Sequence, residues 1–210
     1  MPFRYGNTMQ DQDQDQDQDL NRTVGEIRSL LSGGAAAALP GVTGATVAPA
    51  LCEDDVIIAW LAALGGADLV IPWSADDLVL YGNDASLAAG QVGYRVDGAG
   101  RRFGGWQDDW IVLGQIGSDP VVGVRCDDGC RVLFARHGAG AWTPAQVAGS
   151  PAQFATALRI WCALQIGQYA NDILDDTYAI RPAFLADLRA RIGEVLPDAE
   201  AAVFMEMVDD

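Results

Sequence analysis

Gly104–Trp142, GGWQDDWIVLGQIGSDPVVGVRCDDGCRVLFARHGAGAW, decides how the rest of the chain is read. DWIVLGQI places apolar residues on both faces of an extended segment, as a central strand does. GSD is turn material, and Pro120 is tolerated at the first position of the strand that follows, PVVGVRC. DDG reads as a three-residue hairpin loop in which Gly129 is free to take a positive φ. CRVLFARHG is then a third strand, so the stretch predicts an antiparallel meander.

Outward from the meander the pattern turns helical. SPAQFATALRIWCALQIG carries a strong helix start: Ser150 is a cap, Pro151 occupies the first helical position and Gln153 completes a capping box. Phe154, Leu158, Trp161 and Cys162 share one face of that helix, with Phe154 inward and Trp110 packing against it from the central strand. Phe184, Leu188, Ile192 and Val195 repeat at helical spacing in RPAFLADLRARIGEVL, and Pro197 stops the run. Asp198 then caps a last short helix with Val203, Phe204 and Met207 inward. Upstream, Leu20, Val24, Ile27 and Leu31 predict a helix ended by Gly33, and CEDDVIIAWLAALGG reads as a buried helix closed by Gly65. The small-residue stretch GGAAAALPGVTGATVAPA reads as a loop. DLVLYG and QVGYRV read as strands flanking NDASLAAG, a turn or a single helical turn. Helices, then strands, then helices predict an α+β domain over residues 20–210. Residues 1–19 end in QDQDQDQDQD, which has no face to bury and repels itself, so composition predicts a disordered tail.

The chain has 210 residues and a formal net charge of −16, and removing the five Asp of the repeat still leaves −11. All thirteen basic residues are Arg. Phosphate and anionic lipid are bound by clustered cations, so this balance argues against nucleic acid and membrane surfaces and favours a basic partner. No apolar run is long enough to span a bilayer, and the N-terminus lacks an apolar signal region, which predicts a cytoplasmic protein.

Candidate chemistry is sparse. His137 is the only histidine, and a catalytic role asks for a nucleophile or an orienting acid, with Asp119 or a nearby carboxylate as the candidate. No GxSxG elbow accompanies it. Asp119-Pro120 reads more simply as a turn. Cys126 and Cys130 with His137 give three ligands at most, whereas structural zinc takes four, so no metal site is expected and the two cysteines read as residues flanking a hairpin loop, free to face each other. Cys52 and Cys162 sit in apolar segments as small hydrophobes. GAGRRFGGW matches no phosphate-binding pattern, and no cofactor is expected. Acidic pairs recur at Asp54-Asp55, Asp76-Asp77, Asp108-Asp109, Asp127-Asp128, Asp175-Asp176 and Asp209-Asp210. Each alone is a solvated turn or helix start; together they set a long-range field.

The ordered series QVGYRV, Trp106, DWIVLG with Trp110, GSDPVV with Asp119 and Pro120, VLFARHGAGAW ending at Trp142, and SPAQFATAL with Phe154 resembles the SUKH superfamily of Smi/Knr-type domains. The match is best over residues 91–160 and loose over 51–90, and residues 165–210 are similar to a helical extension of some members. The resemblance implies a mostly antiparallel sheet with helices packed around it, in which Trp110, Asp119, Pro120, Trp142 and Phe154 are fold-defining. It implies binding rather than catalysis. Bacterial members neutralise a cognate toxin and some fungal ones are regulatory scaffolds. The expectation is therefore a non-enzymatic immunity protein, without catalytic residues, that meets a basic toxin through an acidic surface. Asp108, Asp109, Asp127 and Asp128 are the first choices for that surface and Asp175 and Asp176 the second. The alternatives are a scaffold of the same fold or an enzyme using His137 and Asp119.

Overall fold

The computed structural model describes residues 9–33, 55–126, 129–138 and 141–209. In chain order these form α1 (Met9–Gly33), α2 (Asp55–Leu64), β1 (Leu69–Ile71), β2 (Leu78–Leu80), α3 (Asp84–Gly90), β3 (Trp110–Ile116), β4 (Asp119–Cys126), β5 (Gly129–Phe134), β6 (Ala145–Ala148), α4 (Pro151–Cys162), a π-helical segment (Ala163–Gln168), α5 (Pro182–Ile192) and α6 (Asp198–Val208). The strands make one open antiparallel sheet in the order β1-β2-β3-β4-β5-β6. Among the described residues the fold is α+β, as the alternation of patterns predicts.

The meander forms because its turns suit two-residue connections. Ile116 pairs with Asp119 across Gly117-Ser118, and Gly117 supplies a positive φ of 53° at the first central position, the requirement of a hairpin turn that follows the strand twist. Cys126 pairs with Gly129, so the second connection is Asp127-Asp128 rather than the three residues expected; both lie outside the described residues. Gly129 has its positive φ, 130°.

Pairing partners share a face, so Gly114, Val121 and Phe134 lie on one side of the sheet and Val112, Val122 and Leu133 on the other. Val112, Val121 and Val122 are buried, which explains why the central strands are apolar throughout. Helix α4 packs against α1, β5 and β6, and α6 covers β6. Helix α3 lies on β3. Phe154, Leu158, Trp161 and Cys162 of α4 are all buried, as their spacing predicts.

The start of α4 follows the sequence closely. Ser150 Oγ accepts the Gln153 N–H at 3.1 Å, and Pro151 holds the first helical position. Gln153 Oε1 takes the Gly149 N–H at 2.8 Å, one residue before the cap. Asp198 belongs to the first turn of α6 instead of capping it, because the chain enters at Pro197.

The structure corrects other expectations. Helix α1 begins at Met9, so the Gln-Asp repeat is helical over residues that composition assigns to a disordered tail. The reason is propagation. Leu20, Val24, Ile27 and Leu31 are buried and anchor the helix downstream, after which each added residue gains a backbone hydrogen bond without a new nucleus. Acids near a helix N-terminus also suit its dipole, and Asp19 pairs with Arg22 at 2.8 Å. QVGYRV is not a strand of the sheet. It forms isolated bridges, Val92 with Val96 and Val96 with Arg102, in an irregular excursion before β3. NDASLAAG is a full helix, α3, capped by Asn83, whose side chain accepts the Ser86 N–H. Its last residue is Gly90 because a Cβ there would stand 2.0 Å from the Tyr81 ring. Strands β1 and β6, three and four residues long, carry no clear pattern in the sequence. The loop expected between Gly33 and Cys52 lies outside the described residues.

Candidate interaction surface

The sheet presents its sequence-marked residues in two groups, which meet near the end of the β3–β4 hairpin. The first is aromatic. Trp106 stands edge-on to Trp110 at 5.4 Å and to Trp142 at 5.4 Å, and Tyr94 lies 5.5 Å from Trp142 and 5.9 Å from Trp106. Trp106 Nε1 donates to the Trp110 carbonyl at 2.9 Å. Trp110 is buried as expected, but its ring partner is Trp106 rather than the Ser150 helix. Its row, Trp110-Val124-Arg131, is on the face opposite Val121 and Phe134.

The second group is polar and centres on Asp119. Its carboxylate accepts the Arg136 guanidinium at 2.9 Å and the backbone N–H of His137 at 2.6 Å. Arg136 also reaches Glu206, donating to its carbonyl and lying 3.9 Å from its carboxylate. Asp119 therefore ties the end of β5 to the start of β4 and, through Arg136, to α6. Nearby, the Tyr81 hydroxyl donates to Gln115 Oε1 at 2.8 Å, and Tyr94 Oη lies 3.0 Å from the Ser118 carbonyl. Burial, and then the charge of Asp119, push the Tyr94 hydroxyl above the ordinary tyrosine range.

This geometry bears on the enzyme alternative. A histidine base needs its imidazole oriented by the acid. Here Asp119 holds the backbone of His137, while the exposed imidazole lies 5.8 Å from Trp142. The carboxylate is occupied in closing the fold.

The cysteines also resolve. Cys126 pairs with Gly129 and Cys130 with Arg125, so adjacent rungs of the ladder put the two side chains on opposite faces. They do not face each other across the hairpin. Among the described residues no three His, Cys, Asp or Glu side chains gather into a metal-binding group.

The acidic pairs fall in different places. Asp108 and Asp109 are exposed just before β3; Asp108 pairs with Arg102, and its carbonyl accepts Arg95 at 3.0 Å. Asp127 and Asp128 lie outside the described residues. Asp175 and Asp176 sit in a tight turn between the π-helical segment and α5, far along the chain from the others. Hydrogen bonds from Thr177, and then from Ala179, hold the Asp175 carboxyl below the usual range, so it stays charged. No helix among the described residues is long and apolar enough to cross a membrane.

Three contributors were not marked in the sequence. Asp68 accepts from Gly82 N–H, Asn83 Nδ2 and Ser86 Oγ at 2.8, 3.1 and 2.6 Å, fixing the turn into α3. Gln91 is buried against β3, and Tyr178 projects from the turn that holds Asp175. The marked features nearest them are the Asp175-Asp176 turn signal and QVGYRV, which Gln91 opens but which reads as a strand. Compared with known proteins, the chain matches no family model, no curated protein and no solved structure.

Proposed function

We propose that this chain is an immunity-type binding protein of SUKH-like fold that neutralises a basic protein toxin by covering it with an acidic surface. The observation that carries the reading is the charge: −16 over 210 residues with no Lys, displayed on an α+β frame. A toxin that acts on nucleic acid must attract phosphate and so is cationic, and an anionic inhibitor competes for that same surface. The occupation of Asp119 by Arg136 and the His137 backbone favours binding over catalysis, because the one acid expected to serve the lone histidine is engaged elsewhere.

The test is rescue. A toxin-like reading frame immediately upstream is expressed in cells with and without this chain. Growth restored by co-expression supports immunity. Growth arrest that persists despite co-expression removes that reading and leaves the regulatory scaffold.

A further inference from the structure

Residues 172–181 form a small hairpin whose tip is built to hold one side chain out. Leu174 and Ile180 bridge as an antiparallel pair. The Asp175 N–H donates to the Ala179 carbonyl at 2.8 Å, and the Tyr178 N–H to the Asp175 carbonyl at 3.0 Å. The Asp175 carboxylate accepts from Thr177 N–H at 2.8 Å, Thr177 Oγ1 at 2.7 Å and Ala179 N–H at 3.2 Å. The base is fixed too: Ile173 is buried, and its carbonyl accepts the Arg181 N–H at 2.8 Å.

At the apex Tyr178 has φ 64° and is 85% exposed, the most exposed large hydrophobic side chain among the described residues. A bulky residue is disfavoured in this left-handed conformation, where Asn or Gly fits at lower cost. At that exposure the ring buries almost nothing in return. The fold itself therefore gives no reason for an aromatic residue here. An aromatic side chain already exposed on a turn whose backbone is held by hydrogen bonds is what a protein interface uses as an anchor, since the backbone loses little freedom when it docks.

Charge specifies what it docks on. Asp172 pairs with the Arg181 guanidinium at 2.7 Å, and Asp175 and Asp176 stand three and two residues before Tyr178, so the hairpin carries three acids against one base. Such a knob fits an apolar pocket with a cationic rim.

We propose that Tyr178 is the anchor through which this chain docks on its basic partner, its ring entering an apolar pocket whose rim of Lys or Arg side chains meets Asp175 and Asp176. The proposal rests on the toxin reading above. The probe is the product of the upstream reading frame, titrated calorimetrically with the full chain and with Tyr178→Phe and Tyr178→Asn. Asn suits the left-handed conformation, so Tyr178→Asn keeps or raises the melting temperature, and a binding loss in it is not a folding loss. The expected result is a Kd raised about 30-fold or more in Tyr178→Asn and less than about threefold in Tyr178→Phe. Unaltered affinity in Tyr178→Asn overturns the anchor and leaves the toxin reading standing. Failure of the unaltered chain to bind that product overturns the toxin reading, and the anchor with it.

Discussion

The side-chain amide of Gln91 pairs with both backbone polar groups of Val112. The Val112 N–H donates to Gln91 Oε1 at 3.0 Å, and Gln91 Nε2 donates to the Val112 carbonyl at 2.9 Å and to the Leu87 carbonyl at 2.8 Å. Strand β2 ends opposite Gly114, and the register of β3 shifts between Val112 and Gly114, so no strand faces Val112 on that side. Gln91, only 3% exposed, takes the place of the missing strand.

Gln91→Ala leaves the two Val112 groups buried without partners. Each stranded group costs about 1–3 kcal/mol, so urea midpoints are expected to fall markedly. Gln91→Glu should be no better, because its carboxylate has no proton to offer two carbonyls in a buried site. A midpoint unchanged in both variants would show that the clamp does not hold the bulge.

Phe154 is fully buried on α4. Phe154→Ala is expected to cost about 3–5 kcal/mol through lost transfer energy and the cavity left behind. Whole-domain stability is typically about 5–15 kcal/mol, so this variant should melt far lower or be largely unfolded. An unaltered melting temperature would mean that α4 does not pack through this face.

Stability should fall at alkaline pH. Burial pushes the Cys162 thiol up to about 12 and, with help from Tyr94 and Asp68, lifts the Tyr81 hydroxyl above the tyrosine range. In the unfolded chain these groups ionise near about 8.5 and 10. Above those values the unfolded state binds fewer protons than the folded state, so unfolding becomes easier as pH rises. The stabilising contribution is complete below about pH 8.5 and is lost progressively towards pH 12. Denaturant midpoints measured from pH 8 to 11 check this. The decline should be shallower in Tyr81→Phe, which keeps the ring and removes the proton.

Cys126 and Cys130 should remain thiols in the purified protein. With their side chains on opposite faces, a bridge would require the hairpin to flip a residue. Non-reducing peptide mapping is expected to recover both unlinked. In thiol titration of the folded protein, half-buried Cys126 should react before buried Cys130 and Cys162. Recovery of a Cys126–Cys130 disulfide peptide would contradict the register.

How much was legible in the sequence depended on how local each device is. The Ser150 cap with Pro151 at the first helical position, the Gly117 turn and the positive φ of Gly129 are fixed by residues adjacent in the chain and follow from the sequence, whereas Gln153 departs from the expected capping box by accepting from Gly149 instead of Ser150. The apolar central strands announced their burial on both faces. The Gln91 clamp joins residues 21 apart and could not be read from spacing, because QVGYRV reads as a strand and nothing in it points to Val112. QVGYRV has strand-like composition, but Gly93, at φ 95°, turns the chain instead. Helix α1 runs into the repeat because of contacts made by Leu20 to Leu31, which composition of the repeat alone does not register. The burial of Trp110 follows from its place in a central strand; its ring partner does not, since Trp106 reaches it only through the irregular excursion before β3. Among the acidic pairs the sequence carried no signal that Tyr178 is the side chain held out beside one of them, because its exposure follows from the Asp175 hydrogen bonds.

In the proposed function an acidic surface steers this chain onto a basic partner. The most direct test is stopped-flow association with the product of the upstream reading frame across a salt series. Opposite charges should give an on-rate of about 10⁸ M⁻¹s⁻¹ or more at low salt, against roughly 10⁵–10⁶ for uncharged pairs. That rate should fall steeply as the Debye length shrinks from about 30 Å at 0.01 M to about 3 Å at 1 M, while dissociation changes little. Deleting residues 1–19 should slow association modestly and leave the complex intact. An on-rate independent of salt, or a partner that is itself acidic, would rule out steering by an acidic surface.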